Sequence, residues 1–177
     1  MATLVPETVE TERLRLRQFT IDDIDAVARI LADPDVMRFI GGAPQTKPWE
    51  IWRSLSATLG HWTLRGYGPY AVEVKETGEV VGRIGLLNPV GWPGIEIAWT
   101  LAKSGWGKGY ATEAAAAVGR VGFGILKADR LISLIHPDNV ASKRVAERLG
   151  ASRDGVTDFF GGDTDTYIYR HDPARFQ

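Results

Sequence analysis

No cysteine occurs in the 177 residues. That absence excludes a disulfide, a thiolate nucleophile and a Cys-based metal site. Histidine is scarce too: His61, His136 and His171 stand far apart, and nothing has the ligand spacing of a zinc cluster, so no metal is expected. Neither sign of charge dominates, because 21 Lys and Arg face 22 Asp and Glu, for a formal net charge of −1. With no basic run either, no nucleic-acid or anionic-membrane partner is expected. There is no apolar run of about 18 residues to span a bilayer. The N-terminus lacks an apolar signal core, so a cytoplasmic protein is expected. Repeats and low-complexity tracts are also missing. At 44% hydrophobic and 24% charged, the composition is that of an ordinary globular chain, expected to form a single domain over residues 1–177.

Against that background one stretch stands out. Ile95-Glu96-Ile97-Ala98-Trp99-Thr100-Leu101 reads as a β-branched and aromatic strand. Ala102-Lys103-Ser104-Gly105-Trp106-Gly107-Lys108-Gly109 is a glycine-rich turn, and Tyr110-Ala111-Thr112-Glu113-Ala114 opens an alanine-rich helix. Glycines at 105, 107 and 109 permit positive φ and leave the backbone bare. The first N–H groups of the helix behind them have no intrahelical acceptor, so the loop suits a phosphate or pyrophosphate. It equally suits a tight connector in which glycine serves turn geometry alone. Two nucleotide fingerprints fail here. The P-loop pattern G-x-x-x-x-G-K-[ST] has Ala102 at its first glycine and Gly109 after Lys108, and G-x-G-x-x-G/A ends at Tyr110 or Thr112.

The remaining elements follow from periodicity. Thr11 to Arg17 alternates as a half-buried strand. Thr20 and Asp23 cap a helix carrying Ile24, Val27, Ala28 and Leu31, which ends near Asp33-Pro34. From Trp49 to about Leu64 a second helix places Trp52, Leu55, Leu59 and Trp62 on one face, expected to be core. Tyr70 to Lys75 and Val80 to Leu87 form a hairpin. Lys108 to Leu126 is a helix whose many small residues predict close packing on a sheet. Leu131 to Ile135 is a buried strand, Asp138 or Asn139 caps a helix ending at Gly150, and Gly155 to Phe160 and Asp165 to Tyr169 close as a hairpin through Gly161-Gly162. The expected fold is α/β (α+β), with a mixed central sheet of about seven strands and about four helices.

This order, with its loop after the fourth strand, resembles the GNAT N-acetyltransferase superfamily over nearly the whole chain. The family's Q/R-x-x-G-x-G/A motif aligns with Ser104-Gly105-Trp106-Gly107-Lys108-Gly109, with Ser104 in place of the long Gln or Arg. Trp106 to Ala114, Thr11-Glu12-Arg13-Leu14, and Asn139-x-x-Ser142-x-Arg144-Val145-x-Glu147-x-Leu149-Gly150 look like the ribosomal-protein (RimJ/RimL-like) branch. The resemblance implies a GNAT-like domain, splayed between strands four and five, that uses acetyl-CoA. Unpaired backbone of Trp99, Thr100 and Leu101 would then meet the pantetheine amides. The pyrophosphate would lie on Gly105, Trp106, Gly107, Lys108, Gly109, Tyr110, Ala111 and Thr112. Asn139 would bond the pantetheine arm, or act as a helix cap alone. Arg144 would reach the 3′-phosphate, or be a solvated helix residue.

The reaction implied is transfer of an acetyl group to a primary amine, a small molecule or a peptide N-terminus, by direct attack in a ternary complex. An α-amine (pKa about 8) is closer to its reactive neutral form at pH 7 than a lysine (about 10.4). Glu96 is the candidate base, directly or through water, against the alternative of an exposed or ion-paired carboxylate. The tyrosine acid of much of the superfamily is replaced by Ala146, and Ser142 is the candidate donor to the leaving sulfur, with Tyr110 a further one. Trp49, Trp52, Trp62, Tyr67 and Tyr70 precede or open the hairpin where the acceptor cleft is walled in the family, though Trp52 and Trp62 also fit a core face. His136, before Pro137, reads as structural. A non-catalytic acyl-CoA sensor and an aminoglycoside-type acetyltransferase are the alternatives, and the resemblance allows a homodimer.

Overall fold

The computed structural model describes residues 3–40, 43–158 and 165–177. Its centre is an eight-stranded mixed sheet in the order β1-β2-β3-β4-β5-β6-β8-β7. The strands are β1 (Thr8–Glu10), β2 (Leu14–Arg17), β3 (Pro69–Val74), β4 (Val80–Leu87), β5 (Ile95–Leu101), β6 (Leu131–Ile135), β7 (Ser152–Thr157) and β8 (Thr166–Arg170). The expected architecture is present, with one strand more than the seven read from periodicity. The addition is the short edge strand β1, which pairs with β2. Its three residues are too few for alternation to show. In β2 the alternation is visible: Leu14 and Leu16 are fully buried and Arg15 points out. The closing connection expected at Gly161-Gly162, with Phe160, lies outside the described residues.

The helices are α1 (Ile24–Ala32), α2 (Pro34–Met37), α3 (Pro48–Arg65), α4 (Tyr110–Arg120) and α5 (Val140–Arg148). Local chemistry sets their ends. Asp33 accepts the Asp35 N–H at the start of α2, and Gly66, at φ 73°, terminates α3. The long helix expected over 108–126 stops at Arg120 and continues as a π-helical turn, Val121–Ile125. There Gly122 lies so close to β6 that an added Cβ would stand 2.6 Å from Leu131 Cδ1, which accounts for the small residues.

The sheet has two covered faces. Ile84, Leu86, Ile97 and Leu101 pack with α4 in the larger core. The opposite face carries α1 and α3, whose Val27, Ile30, Leu31, Ile51 and Leu55 enclose Ala71 and Val80. The aromatic face expected on α3 is only half realised. Trp62 is buried and its indole donates to the Pro69 carbonyl, whereas Trp52 is 59% exposed. Ten residues, just under three turns, separate the two, and one periodic face does not stay covered along that length.

Candidate active site

Peptide groups alternate in direction along a strand. The Ala102 N–H donates to Val81 O, so Thr100, Ala98 and Glu96 turn their peptide groups toward β4, and Ile97, Trp99 and Leu101 toward β6. On that side pairing stops early, because β6 matches β5 only at Ile95↔Leu131 and Glu96↔Ile132. Beyond Glu96 the two strands part, as the resemblance implied. Side chains fill part of the missing ladder. The Ser133 hydroxyl donates to Ile97 O at 2.7 Å, and the Trp106 indole donates to Leu101 O at 2.8 Å. The peptide groups of Trp99 are left facing the gap. Those of Thr100 face β4, so of the three backbone candidates Thr100 is misplaced by the alternation, and the Leu101 carbonyl already has a donor.

The glycine loop leads to the start of α4. Gly107 and Gly109 take φ of 72° and 80°, the left-handed region that needs glycine. Gly105 does not. It lies in a 3-10 turn, Lys103–Gly105, where an added Cβ would make only ordinary contacts with Val81 and Leu101. Ser104 turns away and donates to Glu79. Gly109 is the N-cap of α4 and offers no side-chain acceptor, and the first intrahelical bond runs from Glu113 N to Gly109 O. The N–H groups of Tyr110, Ala111 and Thr112 therefore have no helical acceptor and converge as an anion site.

A clamp not foreseen in the sequence holds this loop. The Glu113 carboxylate takes Thr11 Oγ1 at 2.6 Å, the Arg13 N–H at 2.9 Å and Arg13 Nε at 2.7 Å. Arg13 Nη1 donates to the Lys108 carbonyl at 2.9 Å, and its guanidinium stands 4.9 Å from the Tyr110 ring centre. The Lys108 ammonium approaches the same ring, at 5.9 Å. Thr11 and Arg13 thus brace the loop from the N-terminal strand region.

Glu96 is buried, 6% exposed, on the α1/α3 face. Its Oε2 accepts from the Trp92 indole at 2.8 Å, and its Oε1 from Leu134 N–H at 3.2 Å across the parted strands. Burial raises its pKa from 4.5 to about 7, against the opposing effects of those two donors and of Arg83. At neutral pH about half of such a group is an ionised base, not the exposed carboxylate weighed as the alternative.

On the other side of the gap, the Asn139 side chain caps α5 by accepting Ser142 N–H at 3.1 Å. The cap uses its oxygen and leaves the amide NH2 to donate. The Trp99 indole donates to Ser142 Oγ at 3.2 Å, so the hydroxyl proton is free to point elsewhere. Arg144 is exposed, and Ala146 is buried against Ile135, Ala151 and Tyr169. Of the aromatic residues expected at the acceptor cleft, Trp62, Tyr67 and Tyr70 are core, while Trp49 and Trp52 are exposed. His136 accepts the Asp138 N–H in its own turn, a local structural bond. Among the described residues no group of three or more His, Asp or Glu is placed to hold a metal ion. Among them, too, no helix is long and apolar enough to cross a membrane.

Sequence reasoning singled out the loop, Glu96, Asn139 and Ser142, and the structure places them around the parting of β5 and β6. It missed Arg83, Trp92 and the Arg13–Glu113 clamp. Arg83 had a readable signal, as the one charge in the run Val80 to Leu87.

Comparison with known proteins agrees with this geometry. The uncharacterized N-acetyltransferase p20 of Bacillus licheniformis is 30% identical over 153 residues, covering 85% of each chain. An acetyltransferase from Agrobacterium tumefaciens superposes with a TM-score of 0.83 at 33% identity, covering 95% of both chains. Mycobacterium smegmatis RimJ, solved with CoA-disulfide, shares the fold at a TM-score of 0.75 and 22% identity, covering 96% of this chain and 89% of that one. A family model for the acetyltransferase (GNAT) domain matches residues 13–152, and the chain belongs to that family as an N-acetyltransferase.

Proposed function

We propose that the protein moves an acetyl group from acetyl-CoA to a primary amine by direct attack in a ternary complex. The observation that carries this reading is the break in the sheet after Glu96. It sets a buried carboxylate of pKa about 7 on one face and the loop before α4 on the other. The residues present fit a CoA thioester. Bare amides at Tyr110 to Thr112 suit a pyrophosphate, and the unpaired Trp99 peptide suits a pantetheine amide. CoA supplies an activated acyl group and a thiolate leaving group.

Glu96, directly or through an ordered water, takes the proton that the attacking amine must lose. Its pKa near 7 matches that task at neutral pH. The Trp99 N–H, aimed into the gap, is positioned to stabilise charge developing on the thioester oxygen. Ser142, with its acceptor side occupied by the Trp99 indole, directs its O–H to the departing sulfur. Asn139 holds the first turn of α5 and offers its amide to the pantetheine arm. With no cysteine in the chain, no cysteinyl acyl-enzyme takes part.

The RimJ/RimL-like motifs support a peptide N-terminus as one acceptor class, with small-molecule amines as the other. Release of CoA thiol from acetyl-CoA, followed over a panel of α-amino peptides, polyamines, aminoglycosides and amino acids, tests the reading. Saturable, amine-dependent release is expected. Release no faster than acetyl-CoA hydrolysis with every amine refutes it.

A further inference from the structure

Strand β4 lies in the middle of the sheet, between β3 and β5, and reads Val-Val-Gly-Arg-Ile-Gly-Leu-Leu. Its one charge, Arg83, sits opposite Thr100 in the register. Arg83 therefore points to the same face as Glu96 and lines a narrow recess with Val27, Leu31, Leu55 and Thr58 of α1 and α3. The loop that suits the pyrophosphate leads into α4, on the opposite face, so Arg83 is not placed for that group.

Among the described residues Arg83 makes no hydrogen bond and no ion pair. Other arginines of the sheet are tied: Arg17 to Asp23 at 2.8 Å and to Glu73 at 2.8 Å, and Arg15 to Glu10 at 2.9 Å. Glu96 is the carboxylate whose field Arg83 feels, and no contact joins the two. A guanidinium cannot shed its charge in a protein, and it presents five donors in a planar fork. Arg83 is half-buried, and holding a guanidinium partly out of water with no anion to pair it is unfavourable. A central strand that keeps such a group on the same face as Glu96, four register positions away, is equipped for an anion that arrives with the acceptor.

We infer that the acceptor is an amine that also carries a carboxylate, bound bidentately by Arg83 while the amine lies near Glu96. The strand spacing sets the shape of that molecule. Glu96 and Thr100 are four residues apart, roughly 13 Å at the rise of an extended strand, with only the Ala98 methyl between them on this face. The amine and the carboxylate therefore stand at opposite ends of the acceptor, as in an ω-amino acid or a short peptide, and not on one carbon.

The inference rests on the acetyl-transfer reading, and the experiment separates the two. Thiol release is measured for matched pairs: ω-amino acids of increasing length and their ω-amino amides, and dipeptides with free or amidated C-termini. Binding of the same compounds is read independently, from thermal stabilisation of the protein in the presence of CoA. The acid of a pair is expected to exceed its amide in kcat/KM by roughly 10- to 100-fold, as for a charge-assisted bond pair. In Arg83→Gln the acid-to-amide ratio is expected to collapse toward one, with Arg83→Lys intermediate because an ammonium lacks the fork. Equal acid and amide in the wild-type protein, in turnover and in stabilisation, overturns the inference, and so does a ratio that survives in folded Arg83→Gln. If no amine supports release but acids still stabilise the protein more than amides, the transfer reading fails and the Arg83 site stands. Should Arg83→Gln not fold, the wild-type pairs and Arg83→Lys decide it.

Discussion

The role proposed for Glu96 links stability and activity in opposite directions, and the link can be measured. In the folded protein its pKa is raised from 4.5 to about 7 by burial. Between those values the native state keeps a proton that the unfolded chain has lost. The stabilisation from that neutral carboxyl is complete below pH 4.5 and is lost as pH rises through 7. The displacement corresponds to about 3 kcal/mol at pH 8 and above. Glu96→Gln removes the titration and keeps the volume. Its single oxygen can satisfy Trp92 or Leu134 but not both, at a cost of about 1 kcal/mol. The expected result is a variant less stable than wild type by about 1 kcal/mol at pH 4.5 and more stable by about 2 kcal/mol at pH 8.5. Urea unfolding of both proteins across that range reads the difference directly, and the subtraction cancels His61 and His171, which titrate in both. Wild-type kcat should fall about tenfold per pH unit below 7, and in Glu96→Gln it should be low at every pH. A stability difference that does not change with pH would refute both the burial argument and the assignment of the base.

Other consequences can be checked individually. Ser142→Ala should lower kcat by about 10²-fold with the KM for acetyl-CoA nearly kept, the pattern of a lost proton donor and not of lost binding. Trp99→Phe, which keeps the ring packing and removes the bond to Ser142 Oγ, should give a smaller loss in kcat with the same pattern. Glu113→Gln unties Arg13 and Thr11 from the loop. It should raise the KM for acetyl-CoA about 5- to 30-fold, from 1–2 kcal/mol, less at high salt because Arg13 is half-exposed. Gly109→Ala forces a Cβ onto φ 80° and within 3.3 Å of Arg13 Nη2, so a loss of about 1–2 kcal/mol is expected, read as a fall in Tm of roughly 2–8 °C.

Features written locally were legible. Positive φ at Gly107 and Gly109, the hairpin from Tyr70 to Leu87 and the Asn139 cap each depend on residues within a few positions of one another. The resemblance supplied the parting of the strands, which no local pattern encodes. What escaped was set by distance along the chain. Arg13 and Glu113 meet across 100 residues, and nothing in either neighbourhood announces the other. Phe176 fills the space left by Gly119, yet sequence shows only a small residue and a terminal aromatic. Trp52 shows the opposite failure, because helical period identifies an apolar face but not how far along it the covering layer extends.

The parted strands raise a physical problem, and side chains solve most of it. Opening β5 from β6 removes backbone partners in the protein interior, where each orphaned group costs 1–3 kcal/mol. Three side chains close most of the gap: Ser133 on Ile97 O, Trp106 on Leu101 O, and Glu96 on Leu134 N–H. Ser133 is itself held by His171, whose Nε2 lies 2.9 Å from its hydroxyl. That hydroxyl has one proton, which Ile97 receives, so His171 must donate from Nε2, and its buried Nδ1 has no partner among the described residues to favour a second proton. Burial agrees, lowering its pKa to about 4. This buried Ser–His pair is therefore a strut and not a nucleophile with its base, because the imidazole has no lone pair to offer at that nitrogen. Ser133→Ala should accordingly reduce stability through the orphaned Ile97 carbonyl, by about 1–3 kcal/mol, and leave Glu96 titrating as before. Complete loss of thiol release in a Ser133→Ala protein that remains folded would show instead that the pair takes part in the reaction.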